Sequence, residues 1–220
     1  MAVLLTFAIC ICSADAKTKR SHSKSRSKAR TTRVSKPPPS QGRFNTVVID
    51  AGHGGFDRGG IRRNIIPEKG VALDVALRLE RSLRNAGFKT VMTRSDDRFV
   101  TLDRRVAIAN AHPDAIFICI HFNSARRPGA RGIETFYAAP SEAPLAIRIQ
   151  RNLMTTTSGD NRGVKRASFY VLRRTRTRAV LVECGFLTNS QDAALASRAS
   201  YRQRLADQIS RAIIDYRNSL

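Results

Sequence analysis

The chain has no tryptophan, and aromatic residues fill only 6% of its 220 positions. Stacking platforms for unpaired bases are therefore scarce, which argues against a nucleic-acid binder. Acids are scarce too: 17 Asp and Glu stand against 39 Lys and Arg, for a formal net charge of +22. A field of that sign attracts polyanions such as nucleic acid, anionic lipid or envelope polymers, but it says nothing about fold. Of four cysteines, Cys10 and Cys12 lie within the first sixteen residues. Cys119 and Cys184 each sit inside an apolar run and are expected as small buried hydrophobes. A disulfide between them stays open in an oxidising compartment, provided their Cα atoms lie close enough. Long apolar runs are also missing. The first sixteen residues, MAVLLTFAICICSADA, are apolar for less than the ~20 residues a membrane-spanning helix needs. With Ala14-Asp15-Ala16 as an A-x-A site they read as a secretory signal, although no Lys or Arg precedes the apolar run.

What is present divides the chain unevenly. Residues 17–43 hold ten of the Lys and Arg, no acid, and the run Pro37-Pro38-Pro39. With almost nothing to bury, this segment is expected to be a disordered linker. Near an anionic envelope surface each of its cations could contribute on the order of 1 kcal/mol, so it is also a candidate electrostatic tether. Residues 44–220 carry enough apolar residues for one folded domain.

Strand and helix patterns alternate from Phe44 onward. Strands are expected at Thr46–Asp50, Lys89–Arg94, Ala115–His121, Gly132–Ala138, within Arg162–Leu172, and at Ala179–Glu183. A helix opens at Pro67-Glu68, shows Val71, Val75, Leu79 and Leu83 four apart, and stops at Gly87. Further helices are expected at Leu102–His112, Ser141–Met154 and Arg202–Tyr216. This order predicts an α/β fold: a single domain with a mostly parallel or mixed central sheet flanked by helices. Ligand sites in such sheets gather at the carboxyl ends of strands.

Three polar residues fall there. His53 follows TVVID after a Gly-bounded turn, His121 ends AIFICI, and Glu183 ends AVLV, while Glu68 starts a helix that opens on the same edge. Two imidazoles and one carboxylate make a three-ligand zinc set with an open position for water. A further carboxylate that does not ligate the metal can relay a proton to a leaving amine. Taken singly, each has an ordinary explanation: His53 as a loop residue, Glu68 as a first-turn acid favoured by the helix dipole. Glu183 is the hardest to dismiss in this way, because an unpaired carboxylate at the mouth of a core strand is costly. His22 lies in the basic segment and His112 precedes a proline at a helix end, so both are expected to be structural or solvated.

The runs VVIDAGHGGFDRGG, PEKG, TRSDDRFVTLDRRVAIAN, FICIHFNS, RGIETFY, NRGVK and AVLVECGFLTN follow in this order. Together they resemble the zinc-dependent N-acetylmuramoyl-L-alanine amidases of peptidoglycan turnover, over roughly Asn45 to Tyr216. The resemblance implies an α/β domain holding Zn2+ on His53, Glu68 and His121, with Glu183 as catalytic base. It implies hydrolysis of the amide between the lactyl group of N-acetylmuramic acid and L-alanine of the stem peptide, in the periplasm or outside the cell. Asn123 and Arg131 are expected near the site as substrate-binding candidates, and Asp50 as a residue that orients a ligand. The pattern departs from the family at Arg58, Arg178 and Ser190, where proline is common. Only seven residues separate Ile133 from Ser141, so no helical plug over the site is expected; the protein is expected to act as a monomer. The competing readings are a zinc peptidase cutting within the stem peptide and a non-enzymatic polyanion or wall-binding protein.

Overall fold

In a computed structural model the chain is described for residues 42–60, 65–127, 129–156 and 159–220. The expected signal and basic linker lie outside these residues, apart from the last two positions of the linker. The elements run β1 (Thr46–Ala51), α1 (Glu68–Asn85), β2 (Lys89–Met92), α2 (Leu102–Asn110), β3 (Ala115–Asn123) and β4 (Ile133–Tyr137). A short 3-10 helix (Pro140–Glu142) leads into α3 (Ala143–Leu153). Then come β5 (Asn161–Arg166), α4 (Tyr170–Arg174), β6 (Arg178–Phe186), α5 (Ser190–Ala196) and α6 (Ala199–Asn218).

The strands form one mixed sheet in the order β2-β1-β3-β6-β4-β5. β2, β1, β3 and β6 are parallel, β4 runs antiparallel to β6, and β5 is parallel to β4. The central strands are apolar on both faces, as strands covered on both sides must be. One face packs Val47, Ile49, Ile118, Ile120 and Val182 against α1, α3 and α6, through Leu79, Leu83, Ile149, Ile209 and Ile213. All ten are fully buried, and each such side chain stabilises the fold by roughly 1.5–3 kcal/mol. The other face packs Val48, Phe117, Cys119 and Leu181 against the much shorter α2 and α4. Residues further along β3 and β6 on that second face, His121 and Glu183, are partly exposed at its carboxyl end. The shorter cover leaves these two side chains within reach of solvent.

Helix α1 forms as its pattern predicts. Ala72 and Ala76 widen the buried stripe of Val75, Leu79 and Leu83, and Gly87 ends the helix at φ 83° with its N–H on the Arg84 carbonyl. Pro67 sits one residue before the first helical position, in an extended conformation. Glu68 is thereby the first residue of a helix aimed at the carboxyl edge of the sheet.

Several boundaries differ from expectation. β3 and β6 do not stop at His121 and Glu183 but run on to Asn123 and Phe186, across a register shift between His121 and Asn123. Strand structure after Arg162 ends at Arg166, and Tyr170–Arg174 forms a single helical turn. α5 was not expected; Asn189 caps it by accepting from the Gln191 and Asp192 N–H groups. Arg178, one of the departures from the family pattern, is buried at the start of β6 with its guanidinium over the Tyr216 ring. Cys119 and Cys184 are buried free thiols. Among the described residues no helix is long and apolar enough to cross a membrane.

Candidate metal centre

The centre is assembled by a turn, a helix start and a strand end. Leaving β1, the chain makes a tight reversal closed by paired N–H to carbonyl bonds between Gly54 and Asp57. His53 takes φ 59° in this turn, a left-handed conformation that L-residues other than glycine adopt only under constraint. The constraint comes from two buried arginines. Arg94 donates from Nε to the Ala51 carbonyl at 2.9 Å and from Nη2 to that of Gly52 at 2.6 Å. Arg105 donates from Nη1 to the Ala51 carbonyl at 2.6 Å and from Nη2 to that of His53 at 2.7 Å. Three successive carbonyls of the turn are thus held from below. Burial and the neighbouring Arg105 charge lower the Arg94 pKa. Asp50 supplies the balancing charge, accepting from Arg105 at 2.7 Å, Thr93 at 2.5 Å and the Cys119 thiol at 3.0 Å.

Reversal of the turn brings Asp57 Oδ2 within 2.8 Å of His53 Nδ1. The other ring nitrogen, Nε2, faces Glu68 Oε2 at 3.1 Å. Glu68 Oε1 lies 2.8 Å from His121 Nδ1 and accepts the Phe122 N–H at 3.0 Å. The two imidazoles stand edge to face, with ring centres 4.8 Å apart. One ligand atom each from His53, Glu68 and His121 fall within 4.8 Å of one another, which makes the trio a candidate metal site. Burial disfavours the charged form of His53, but its hydrogen bonds to Asp57 and Glu68 outweigh that and raise its pKa to about 9. For Glu68 burial pushes the other way, yet the two histidines hold its pKa down to about 2. Negative charge is concentrated where a cation would sit.

Glycine is needed at one wall. A Cβ on Gly52 would lie 2.4–2.7 Å from three atoms of the His121 ring, so only a residue without a side chain lets the turn close on that imidazole.

Glu183 on β6 is the direct neighbour of His121 on β3. Adjacent residues in register project from the same face, so its carboxylate lies on the same face of the sheet as the His121 ring. Oε2 is buried and has no hydrogen-bond partner among the described residues. Burial first, then the charges of Glu68 and Glu134, push the Glu183 carboxyl well above the usual carboxylate range. The exit of β6 is pinned by Asp192, whose Oδ2 accepts the Phe186 N–H at 2.9 Å and the Gly132 N–H at 2.7 Å.

The four residues singled out by pattern therefore do converge. The three lesser candidates take other positions. Asn123 donates to Glu134 Oε1 at 2.6 Å. Arg131 bonds Gln191 and lies 3.9 Å from Asp160. Asp50 reaches the centre only through Arg105. Sequence reasoning missed Asp57, Arg94, Arg105 and Glu134, although each stands inside one of the quoted motifs.

Residues 47–215 match the family model described as N-acetylmuramoyl-L-alanine amidase. The Bacillus subtilis protein YqiI is 39% identical over 182 residues, 81% of this chain and 86% of its own length. The B. subtilis N-acetylmuramoyl-L-alanine amidase LytC is 36% identical over 78% of this chain, which spans only 35% of LytC. The crystal structure of an N-acetylmuramoyl-L-alanine amidase from Clostridium difficile superposes with a TM-score of 0.76 at 30% identity, covering 80% of this chain and 98% of that one.

Proposed function

The chain belongs to the N-acetylmuramoyl-L-alanine amidase family, and from that premise we propose that His53, Glu68 and His121 hold zinc while Glu183 is the general base and acid of peptidoglycan amide hydrolysis. Two imidazoles and a carboxylate gathered within 4.8 Å suit zinc, with a position left for water. When bound, zinc supplies a polarised scissile carbonyl and a water acidified to a pKa near ~7. Asp57 fixes the His53 ring through Nδ1, which leaves Nε2 to the metal. Glu183 takes the proton of the attacking water at its unpartnered Oε2 and returns it to the departing L-alanine amine. A carboxyl with raised proton affinity suits that second, acidic step better than an ordinary one. The observation that carries this reading is the in-register pairing of His121 with a carboxylate whose buried oxygen has no partner.

β4 passes to α3 through Ala138, Ala139 and one turn of 3-10 helix, too short a connection for a helical plug. We therefore expect activity without an activator protein, in a secreted enzyme whose basic segment 17–43 can rest on an anionic envelope.

The test is a digest of purified peptidoglycan by wild type, metal-stripped protein and Glu183→Ala, read by mass spectrometry. New L-alanine amino termini with intact lactyl sugars are expected from wild type alone. Cuts inside the stem peptide would identify a peptidase instead, and full activity after metal removal would overturn the mechanism.

A further inference from the structure

The NRGVK segment builds a bulge beside the site. From Ile133 to Thr135 β4 advances two residues, while its partner β5 advances three, from Asn161 to Val164. The extra residue falls at Arg162-Gly163, with Gly163 at φ 77°. In a regular strand Arg162 and Lys165, three apart, would point to opposite faces. The bulge cancels one alternation, and both side chains reach Oε2 of Glu134. Arg162 Nε lies at 3.2 Å and Lys165 Nζ makes a closer contact.

Glu134 is 4% exposed, and its other oxygen takes the Asn123 amide. It is also the cross-strand partner of Glu183. The two cations thus stand one to two strand spacings from the base, on the order of 5–10 Å. Among the described residues Glu134 is the one carboxylate in contact with either cation, so one of the two positive charges has no carboxylate of its own. Their side chains remain 33% and 44% exposed. Each also packs on an aromatic ring: the Arg162 guanidinium rests 4.8 Å from the centre of the Phe186 ring, and Lys165 Nζ 5.9 Å from that of Phe136. A buried acid that needed only neutralising would be served by one of them.

Resting on the amidase reading above, we propose that Arg162 and Lys165 form a subsite for a free carboxylate of the stem peptide, one or two residues beyond the L-alanine whose amide is cut. Glu183 hands its proton to the peptide amine, so the sheet edge that continues past it through β4 and β5 meets the peptide half of the substrate. Glu134 sets the two cations in place, and the surplus charge selects an acidic peptide over its amidated counterpart.

The test uses the zinc-loaded full chain and two muramoyl-peptides that differ only in a free or amidated carboxylate on the second residue. Wild type is expected to show a KM roughly tenfold lower for the acid than for the amide, at similar kcat. R162Q/K165Q should remove the preference, bringing KM for the acid up to that for the amide, while the exchanged pair R162K/K165R should keep it. K165Q alone leaves Arg162 on Glu134, so it separates loss of the subsite from loss of fold, and a matching thermal midpoint checks this. Equal KM on both peptides in wild type, or equal losses on both in the variants, would overturn the subsite with the amidase reading intact. Cleavage of neither peptide by zinc-loaded wild type would overturn both.

Discussion

Arg105 donates to the main-chain oxygen of His53 at 2.7 Å from a helix fifty-two residues further along the chain. The same guanidinium holds the Ala51 carbonyl, the Val100 carbonyl and the Asp50 carboxylate. A side chain of this kind fixes the backbone of the candidate metal-binding turn without touching the proposed donor atoms. It also explains how His53 persists in a left-handed conformation.

Arg105→Ala removes the fork and leaves the fully buried Asp50 with only Thr93 and a thiol as donors. We expect a loss of about 3–5 kcal/mol in denaturant unfolding, the range for stripping one partner from a buried ion pair. Zinc affinity, measured by competition with a chelator, should fall about 10–100-fold, as for other residues that orient ligands. Arg105→Lys restores the charge but not the geometry, so stability should recover more than zinc affinity does. Equal recovery of both would mean that the turn needs only the charge.

Gly52→Ala isolates the metal site from the fold. The new methyl would meet the His121 ring first, since its three nearest neighbours, at 2.4–2.7 Å, are all atoms of that imidazole. Zinc affinity should drop by at least tenfold, with metal-free protein melting within a few degrees of wild type. An unchanged affinity would show that His121 can bind from a different rotamer.

Much of this was legible in the sequence, for a definite reason. β1, β3 and β6 are buried on both faces, so their apolar runs stand out, and a His or Glu at the end of such a run is conspicuous. What could not be read was everything that depends on two distant segments meeting. Asp57 looks like an ordinary loop acid until the Gly54–Asp57 reversal places it on His53. Arg94 and Arg105 read as surface charges on a strand end and a helix, and only the cross-sheet packing buries them. The hydrogen bond from the Asn123 amide to Glu134 likewise depends on a strand pairing that spacing alone does not reveal. The two short helices α4 and α5 carry too few residues to show a period.

Glu183→Gln separates chemistry from stability in the opposite sense to most active-site changes. Removing the proposed base should lower kcat by about 10²–10⁴-fold, with zinc content unchanged. A buried carboxylate without a partner costs stability whenever it ionises, and its raised folded-state pKa means that cost appears above the ordinary carboxylate range. At neutral pH the metal-free variant should therefore melt no lower than metal-free wild type. A clear drop would show that the carboxylate is satisfied in solution by something other than the substrate water.

Asp74→Asn tests the joint between α1 and α6, which carry the larger core. Asp74 Oδ2 accepts from Arg78 at 2.7 Å on its own helix and from Arg202 at 2.5 Å on α6. Burial favours the neutral acid, but the two guanidinium bonds outweigh it and lower the Asp74 pKa. A depressed folded-state pKa gives stability that is present above the unfolded value of about 4 and is lost as pH falls through the folded one. Since the side chain is 34% exposed, the contribution is that of a screened pair, about 0.5–1 kcal/mol at neutral pH. Urea unfolding of wild type and variant should therefore differ by that amount at pH 7 and converge as the pH drops below about 4, with the gap also shrinking in high salt. A gap that survives both acid and salt would mean that Asp74 holds the helices by packing and hydrogen-bond geometry rather than by charge.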